Sequence, residues 1–302
     1  MNNKRRLFST LLCVAALTAG LFVSGCGSDK AGGIGSVVSS VVDGGSDEKA
    51  AAKLNTLIDA TNRFNGDNAT WGQNYADSLA KLKGGFQEGA IGRQPHYDTL
   101  NEALEQSKKE GSTFKEVDTE RDNVLNVLNE LVPTFKDLKA YDDSKAYMND
   151  GGAKGKELAA KYVAQVEKFD AAYAKFNDAL NKANTEQTKK QIEKLKKDGK
   201  KGYAAAMEST LRLTTLVENV EKAPKNADKQ AVEKELNEIQ TLLKSINNDR
   251  GEVLVNSYNS VVGSVRQVLN DANENNLNDM IENFNNYIES YNNTTPDQFD
   301  SK

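Results

Sequence analysis

The sequence contains few of the residues that perform most enzyme chemistry. Among its 302 residues are one histidine, two cysteines, one tryptophan and four prolines. His96 has no nucleophile elbow or HExxH motif beside it, so we interpret it as a surface residue at a helix start. No segment alternates polar and apolar residues between turns, which predicts that no β-sheet forms. We therefore predict that the chain is not an enzyme and has no catalytic, metal or cofactor site.

The first 25 residues have the layout of a lipoprotein signal peptide that directs export. Lys4, Arg5 and Arg6 precede an uncharged apolar stretch over residues 7–23. That stretch is shorter than the roughly 20 residues of a transmembrane helix, which favours cleavage. The sequence Val23-Ser24-Gly25-Cys26 resembles the lipobox of bacterial lipoproteins. The resemblance implies cleavage before Cys26 and a diacylglyceryl thioether on its sulfur. The alternative is a secretory signal or uncleaved anchor with an incidental cysteine.

Processing at Cys26 would change the chemistry available to the chain. Cys13 would leave with the signal, so no thiol would remain for a disulfide, a thiolate metal site or nucleophilic catalysis. Three of the 39 basic residues would also leave, and 36 would remain against 44 acidic residues, a net charge of −8. This balance argues against nucleic acid as a partner and against attraction to anionic headgroups. The expected membrane attachment is therefore the lipid on Cys26.

The expected location is the cell membrane or the outer membrane, with the domain facing the periplasm or the cell exterior. Gly27-Ser28 lacks the aspartate that resembles an inner-membrane retention signal in bacteria with two membranes. Outer-membrane sorting is therefore favoured if the source has two membranes.

The remaining sequence predicts an all-α fold: an elongated bundle of long antiparallel helices behind the signal peptide and a flexible tether. The tether is the Gly- and Ser-rich segment 26–48, and the bundle domain spans 49–295. Apolar residues recur there at three- and four-residue spacing. The predicted helices cover about 49–65, 68–83, 95–104, 112–138, 153–197, 201–222, 228–248 and 253–292. Residues 296–302 are predicted to be a disordered tail.

Two blocks of the sequence carry a family resemblance. The first contains Leu54, Asn55, Ile58, Asn62 and Phe64, followed by Trp71 and Tyr75. The second runs from Tyr141 to Asp150 and continues with Ala-Lys-Gly-Lys-Glu-Leu at 153–158. Both blocks resemble the YiiG-like lipoproteins, a bacterial family whose domain has no known function. Over residues 50–290 the resemblance implies an exported helical lipoprotein of unassigned activity.

Two segments are candidate ligand sites, and each also has a structural interpretation. Tyr141, Lys145 and Asn149 are four residues apart, which predicts a shared helical face, and Asp150 with two glycines predicts a helix end and cap. An anion pocket with Lys145, Lys154 or Lys156 is the alternative there. Residues 271–282 resemble a calcium-binding EF-hand loop, although Asn276 replaces its glycine and Asn278 its aliphatic residue. The structural alternative for this segment is an Asn-rich bend or a hydrated helix face.

These features favour a lipid-anchored envelope protein with a helical binding or structural module that contacts an envelope protein or the cell wall. A solute- or calcium-binding lipoprotein is the first alternative. An envelope hydrolase that uses carboxylates is the second, but 44 acidic residues on helical faces give no recognisable catalytic pair.

Overall fold

The structure is a computed structural model that describes residues 46–92, 94–111 and 114–301, without the side chains of 46–49 and 67–73. Cys26, the signal segment and most of the predicted tether lie outside these residues, as does the side chain of Trp71. Within the described part of the chain every regular element is a helix and no strand occurs. The prediction of an all-α fold is confirmed.

Ten helices follow one another in the described residues. They are α1 (Ser46–Lys83), α2 (Tyr97–Lys109), α3 (Lys115–Asp143), α4 (Tyr147–Asp150), α5 (Ala153–Lys197), α6 (Lys201–Lys222), α7 (Lys229–Lys244), α8 (Asp249–Asn270), α9 (Glu274–Asn292) and α10 (Pro296–Phe299). Helices α5 and α6 have the predicted bounds. Helix α3 runs ten residues past Pro133, and α2 begins two residues after Pro95. The described chain divides into two compact units, with Ala183 ending the first and Asn184 beginning the second, inside α5.

Aromatic side chains hold the first unit together. Phe64 of α1 packs edge-on against Phe169 and Tyr173 of α5, with ring centroids 5.9 and 5.3 Å apart. Tyr97 of α2 joins them, 5.0 Å from Phe169. Helix α3 packs on the same long helix through Phe135 and Tyr162. Such ring pairs contribute about 0.5–1.5 kcal/mol each beyond their buried area, so this cluster fixes how the four helices meet.

Helix α1 is continuous, and the predicted break at Asn65-Gly66 is wrong. Asn65 does not turn the chain, because its side-chain oxygen accepts a 2.8 Å hydrogen bond from the Tyr173 hydroxyl of α5. Gly66 costs a helix about 1 kcal/mol. The apolar residues on either side, from Leu54 to Phe64 and from Tyr75 to Leu82, are buried and outweigh that cost.

The second unit packs α6, α7, α8 and α9 around buried tyrosines. Tyr287 of α9 is fully buried, and its hydroxyl lies 3.0 Å from the Thr210 hydroxyl of α6. Tyr258 of α8 is 1% exposed and donates to the backbone carbonyl of Leu236 in α7. Both of these hydroxyls thus have a partner on a neighbouring helix, which limits how the helices can slide past one another.

The carboxyl-terminal residues belong to this second unit, so the prediction of a disordered tail is wrong for 296–301. Phe299 is 2% exposed and stacks on Tyr203 and Tyr291. The Asp300 carboxylate accepts hydrogen bonds from the backbone amides of Gly202 (2.6 Å) and Tyr203 (3.4 Å). These amides open α6 and have no partner within it, so Asp300 caps that helix from the other end of the unit.

Candidate functional site

A network of tyrosine hydroxyls lies inside the first unit, where α1, α2 and α5 meet. The hydroxyls of Tyr75 and Tyr97 are 2.8 Å apart, and that of Tyr162 donates to the side-chain oxygen of Gln94. The Gln94 amide donates in turn to Ser78 Oγ at 3.3 Å. All three tyrosines are at most 6% exposed. Each phenol is therefore satisfied within the protein, and the network ties three helices and the loop before α2 together.

Burial keeps these phenols neutral. It raises the pKa of Tyr97 and Tyr162 well above the ordinary value for tyrosine, and that of Tyr75 in the same direction. Asp170 lies close enough for its charge to raise all three further. A neutral phenol can donate a hydrogen bond, but it is a poor base or nucleophile. The network is thus suited to holding helices in register.

Two partly buried carboxyl groups have pKa values near neutral pH. Burial raises the pKa of Asp170 to about 6; nearby Lys83 opposes this shift and Glu167 adds to it. Burial likewise raises the pKa of Glu221, at the end of α6, to about 7, with a contribution from Glu218. Acid–base catalysis uses carboxyls of this kind, but it also needs a space for substrate beside them. Neither residue lines the groove described below.

The groove lies on the solvent side of α7 and has a volume of about 520 Å³. Its lining residues all belong to that helix: Gln230, Glu233, Lys234, Asn237, Glu238 and Thr241. Arg266 of α8 binds Glu233 through two hydrogen bonds of 2.8 and 2.7 Å and lowers the pKa of that carboxyl. Glu238 pairs with Arg212 of α6. The groove is therefore an open surface, and its two acidic residues are paired with arginines of neighbouring helices.

The corner between α3 and α5 has the predicted cap but not the predicted shared face. Asp150 accepts from the Tyr141 hydroxyl at 2.5 Å and from the amides of Gly152 and Lys154 at 2.9 and 3.0 Å, which lowers its pKa. Lys145 has a φ of 53°, in the left-handed region, because α3 has already ended at Asp143. Tyr141 and Lys145 thus do not lie on one helix face.

A glycine explains the packing at this corner. A Cβ at position 155 would lie 2.6 Å from ring atoms of both Phe86 and Tyr141. These two rings are packed edge-on with centroids 5.2 Å apart. Gly155 therefore lets α5 approach an aromatic pair, and the Ala-Lys-Gly-Lys segment has a packing role here.

The segment 271–282 does not form the calcium-binding loop considered from the sequence. Only residues 271–273 lie between helices, and the later ligand positions Asn275, Asp279 and Glu282 are part of α9. Asn273 caps that helix by accepting from the Asn276 amide at 2.9 Å, and it donates to Asp271 at 2.7 Å. The structural interpretation is correct in both its forms, since 271–273 are a bend and the rest of the segment is the start of a helix. In the described residues no three His, Cys, Asp or Glu side chains are grouped to hold a metal ion.

The other residues singled out from the sequence, His96 and Cys26, are not part of the tyrosine network, the groove or the corner. His96 is partly exposed at the start of α2 and makes no capping hydrogen bond through its side chain. The lipidation candidate Cys26 lies outside the described residues. Sequence reasoning missed Asp170 and Glu221, because nothing local distinguishes them from other acidic residues on helices. Their only signal is tertiary burial.

Comparison with known families gives a match over most of the chain. Residues 48–283 match the family model described as a protein of unknown function, DUF3829. The chain belongs to this family. The DUF3829 match begins within α1 and ends within α9, so it includes the tyrosine network, the corner and Glu221. No curated protein and no solved structure matched the chain. No helix in the described ranges is both long and apolar enough to cross a membrane.

Proposed function

We propose that this DUF3829 protein is a lipid-anchored lipoprotein of the bacterial cell envelope, of the YiiG-like type, whose helical units serve as a binding or structural module. The observation that carries the proposal is Val23-Ser24-Gly25-Cys26 at the end of an export signal. A lipid on Cys26 would attach the chain to the cell membrane or the outer membrane, and residues 27–45 would link it to the first helix.

The polar groups of the structure support the proposed binding or structural role. The tyrosine network, the Asp150 cap and the arginine–glutamate pairs all join one helix to another. Polar groups that join helices in this way suit support and partner binding.

Mass spectrometry of the mature amino terminus tests the anchor. The expected product begins at Cys26 and carries a diacylglyceryl group, and Cys26→Ser abolishes both the lipid and the cleavage. The matched control is Cys13→Ser, since it removes the other cysteine of the chain without altering the lipobox. An intact Met1 in the native host, or a Cys26 without lipid, contradicts the proposal.

Crosslinking in intact envelopes tests the module. We expect specific crosslinked products with an envelope protein or with wall material, enriched for the lipidated chain relative to Cys26→Ser. Turnover of an envelope substrate by the purified chain, without any specific partner, would contradict a binding or structural role.

A further inference from the structure

The net charge of the chain conceals a dense cluster of lysines at one turn. Residues 189–201, at the end of α5 and the start of α6, contain seven lysines and two acidic residues. We call this segment the lysine turn. Residues 26–302 without it contain 29 basic and 42 acidic residues. The segment thus carries a net charge of +5 on an otherwise acidic protein, all of it within the second unit.

All seven lysines are exposed, and they face solvent together. On α5 the buried residues Thr188 and Ile192 point toward the second unit, at 2% and 4% exposure. By the 3.6-residue period, Lys190, Lys194 and Lys197 fall on the opposite half of that helix, and Lys189 and Lys196 lie at the flanks of the buried face. Gly199, with a φ of 80°, reverses the chain, so that Lys200 and Lys201 follow at the start of α6. The exposed lysines are Lys189, Lys190, Lys194, Lys196, Lys197, Lys200 and Lys201.

Ion pairs within the protein neutralise only part of this charge. Lys196 lies 2.9 Å from Glu208 and 3.4 Å from Glu193, and Lys200 lies 3.6 Å from Asp297. Four other lysines form no ion pair with any residue that the structure describes: Lys189, Lys190, Lys197 and Lys201. Their charge is available to a partner.

Helix stability explains the last three lysines of α5 but not those that open α6. Cations in the last turn of a helix interact favourably with its dipole, as Lys194, Lys196 and Lys197 do. Lys200 and Lys201 stand at the amino-terminal end of α6, where the dipole disfavours a cation. Lys200 is paired with Asp297, but Lys201 has no ion pair with a described residue and adds to the positive charge of the turn at some cost to the helix, which points to a use outside the fold.

The residue types indicate what kind of partner fits. Every cation is a lysine, a point charge that suits many phosphates without fixed geometry, whereas arginine favours bidentate recognition. The neighbouring aromatic residue Tyr203 is buried, so the turn has no exposed ring on which a base could stack. Clusters of four to eight lysines beside a membrane attract anionic lipid surfaces. We propose that the lysine turn docks on the anionic phospholipid headgroups of a bilayer.

This inference goes beyond the lipid anchor and does not depend on it. An anchor holds the chain near the membrane whatever its orientation, whereas the lysine turn would lay one end of the second unit on the headgroups. Lipidation is measured by the mass of the amino terminus, and docking is measured by the reactivity of the lysines. Each proposal can therefore fail without affecting the test of the other.

The test compares lysine reactivity in the full-length protein mixed with an excess of two kinds of vesicle, so that docking does not require the lipid on Cys26. One contains phosphatidylcholine alone, and in the other about a third of the lipid is phosphatidylglycerol. Brief acetylation followed by peptide mass spectrometry gives a rate for each lysine. We expect the rates at Lys189, Lys190, Lys197 and Lys201 to fall about five-fold on the anionic vesicles. The protection should disappear at about 0.5 M salt, where charges are screened within a few ångströms.

Four exposed lysines of the first unit provide the internal control: Lys136, Lys161, Lys168 and Lys175. Their rates should be the same on both kinds of vesicle. Equal rates at the lysine turn on the two vesicles would overturn the proposal, as would equal slowing of all eight lysines. Protection by soluble polyphosphate but not by anionic vesicles would also overturn it, in favour of a soluble polyanion.

Discussion

Glu221 gives a prediction whose magnitude depends on pH. One of its carboxylate oxygens is buried and has no hydrogen-bond partner among the described residues. Burial raises its pKa from 4.5 to about 7, and neighbouring Glu218 adds to the shift while Lys222 opposes it. The folded protein therefore binds this proton more tightly than the unfolded chain. Below about pH 4.5 both states are protonated, and Glu221 has no pH-dependent effect on stability. As the pH rises to about 7, the unfolded chain ionises first and the folded state loses relative stability.

The magnitude follows from the size of the pKa displacement. A shift from 4.5 to about 7 corresponds to roughly 3 kcal/mol for a fully buried group. Glu221 is partly exposed, and solvent screening reduces this to about 1–2 kcal/mol. Glu221→Gln removes the ionisable group and keeps its shape. We therefore expect it to stabilise the second unit by about 1–2 kcal/mol at pH 8 and by almost nothing at pH 4.5.

Urea unfolding at the two pH values measures this difference. Glu186→Gln is the control, because Glu186 is an exposed residue in the middle of a helix of the same unit, and it should give no pH-dependent gain. An equal gain for Glu221→Gln at pH 4.5 and pH 8 would show that the effect comes from packing or helix propensity. No gain at pH 8 would show that the carboxylate is hydrated in the folded state, and the burial argument would fail.

The sequence predicts helices well where local and tertiary preferences agree. Helix α6 has its predicted bounds, because Gly199 and Pro224 flank it and its apolar stripe is uninterrupted. The break at Asn65-Gly66 was wrong because a local turn preference was outweighed by contacts made about 100 residues away. One predicted helix over 253–292 is two, since Asn273 caps the second of them. Conflicts of this kind between local preference and packing are not visible in a window of neighbouring residues.

The groups with unusual chemistry were harder to predict than the helices. Asp170 and Glu221 are two of 44 acidic residues, and their pKa values depend on which helix covers them. The docking of Phe299 and Asp300 was missed for the same reason, because a short polar tail has no periodic pattern. The lysine turn can be identified in the sequence, but the negative net charge of the whole chain does not show that one segment is strongly basic.

Four further substitutions test the packing. Gly155→Ala should destabilise the first unit by about 1–2 kcal/mol in urea unfolding, because its Cβ would lie 2.6 Å from two rings. In the second unit, Gly263→Ala, with open space around it, should be neutral or stabilising. Arg121→Ala should cost about 2–4 kcal/mol, since that 5%-exposed guanidinium pairs with two aspartates; no loss would mean that the pairs are hydrated. Gly202→Ala would place a Cβ 2.1 Å from the backbone oxygen of Phe299, so it should release the carboxyl-terminal segment. Hydrogen exchange should then rise at 296–301 and at the first turn of α6 together, because Asp300 caps that turn. Faster exchange in the tail alone would refute the cap.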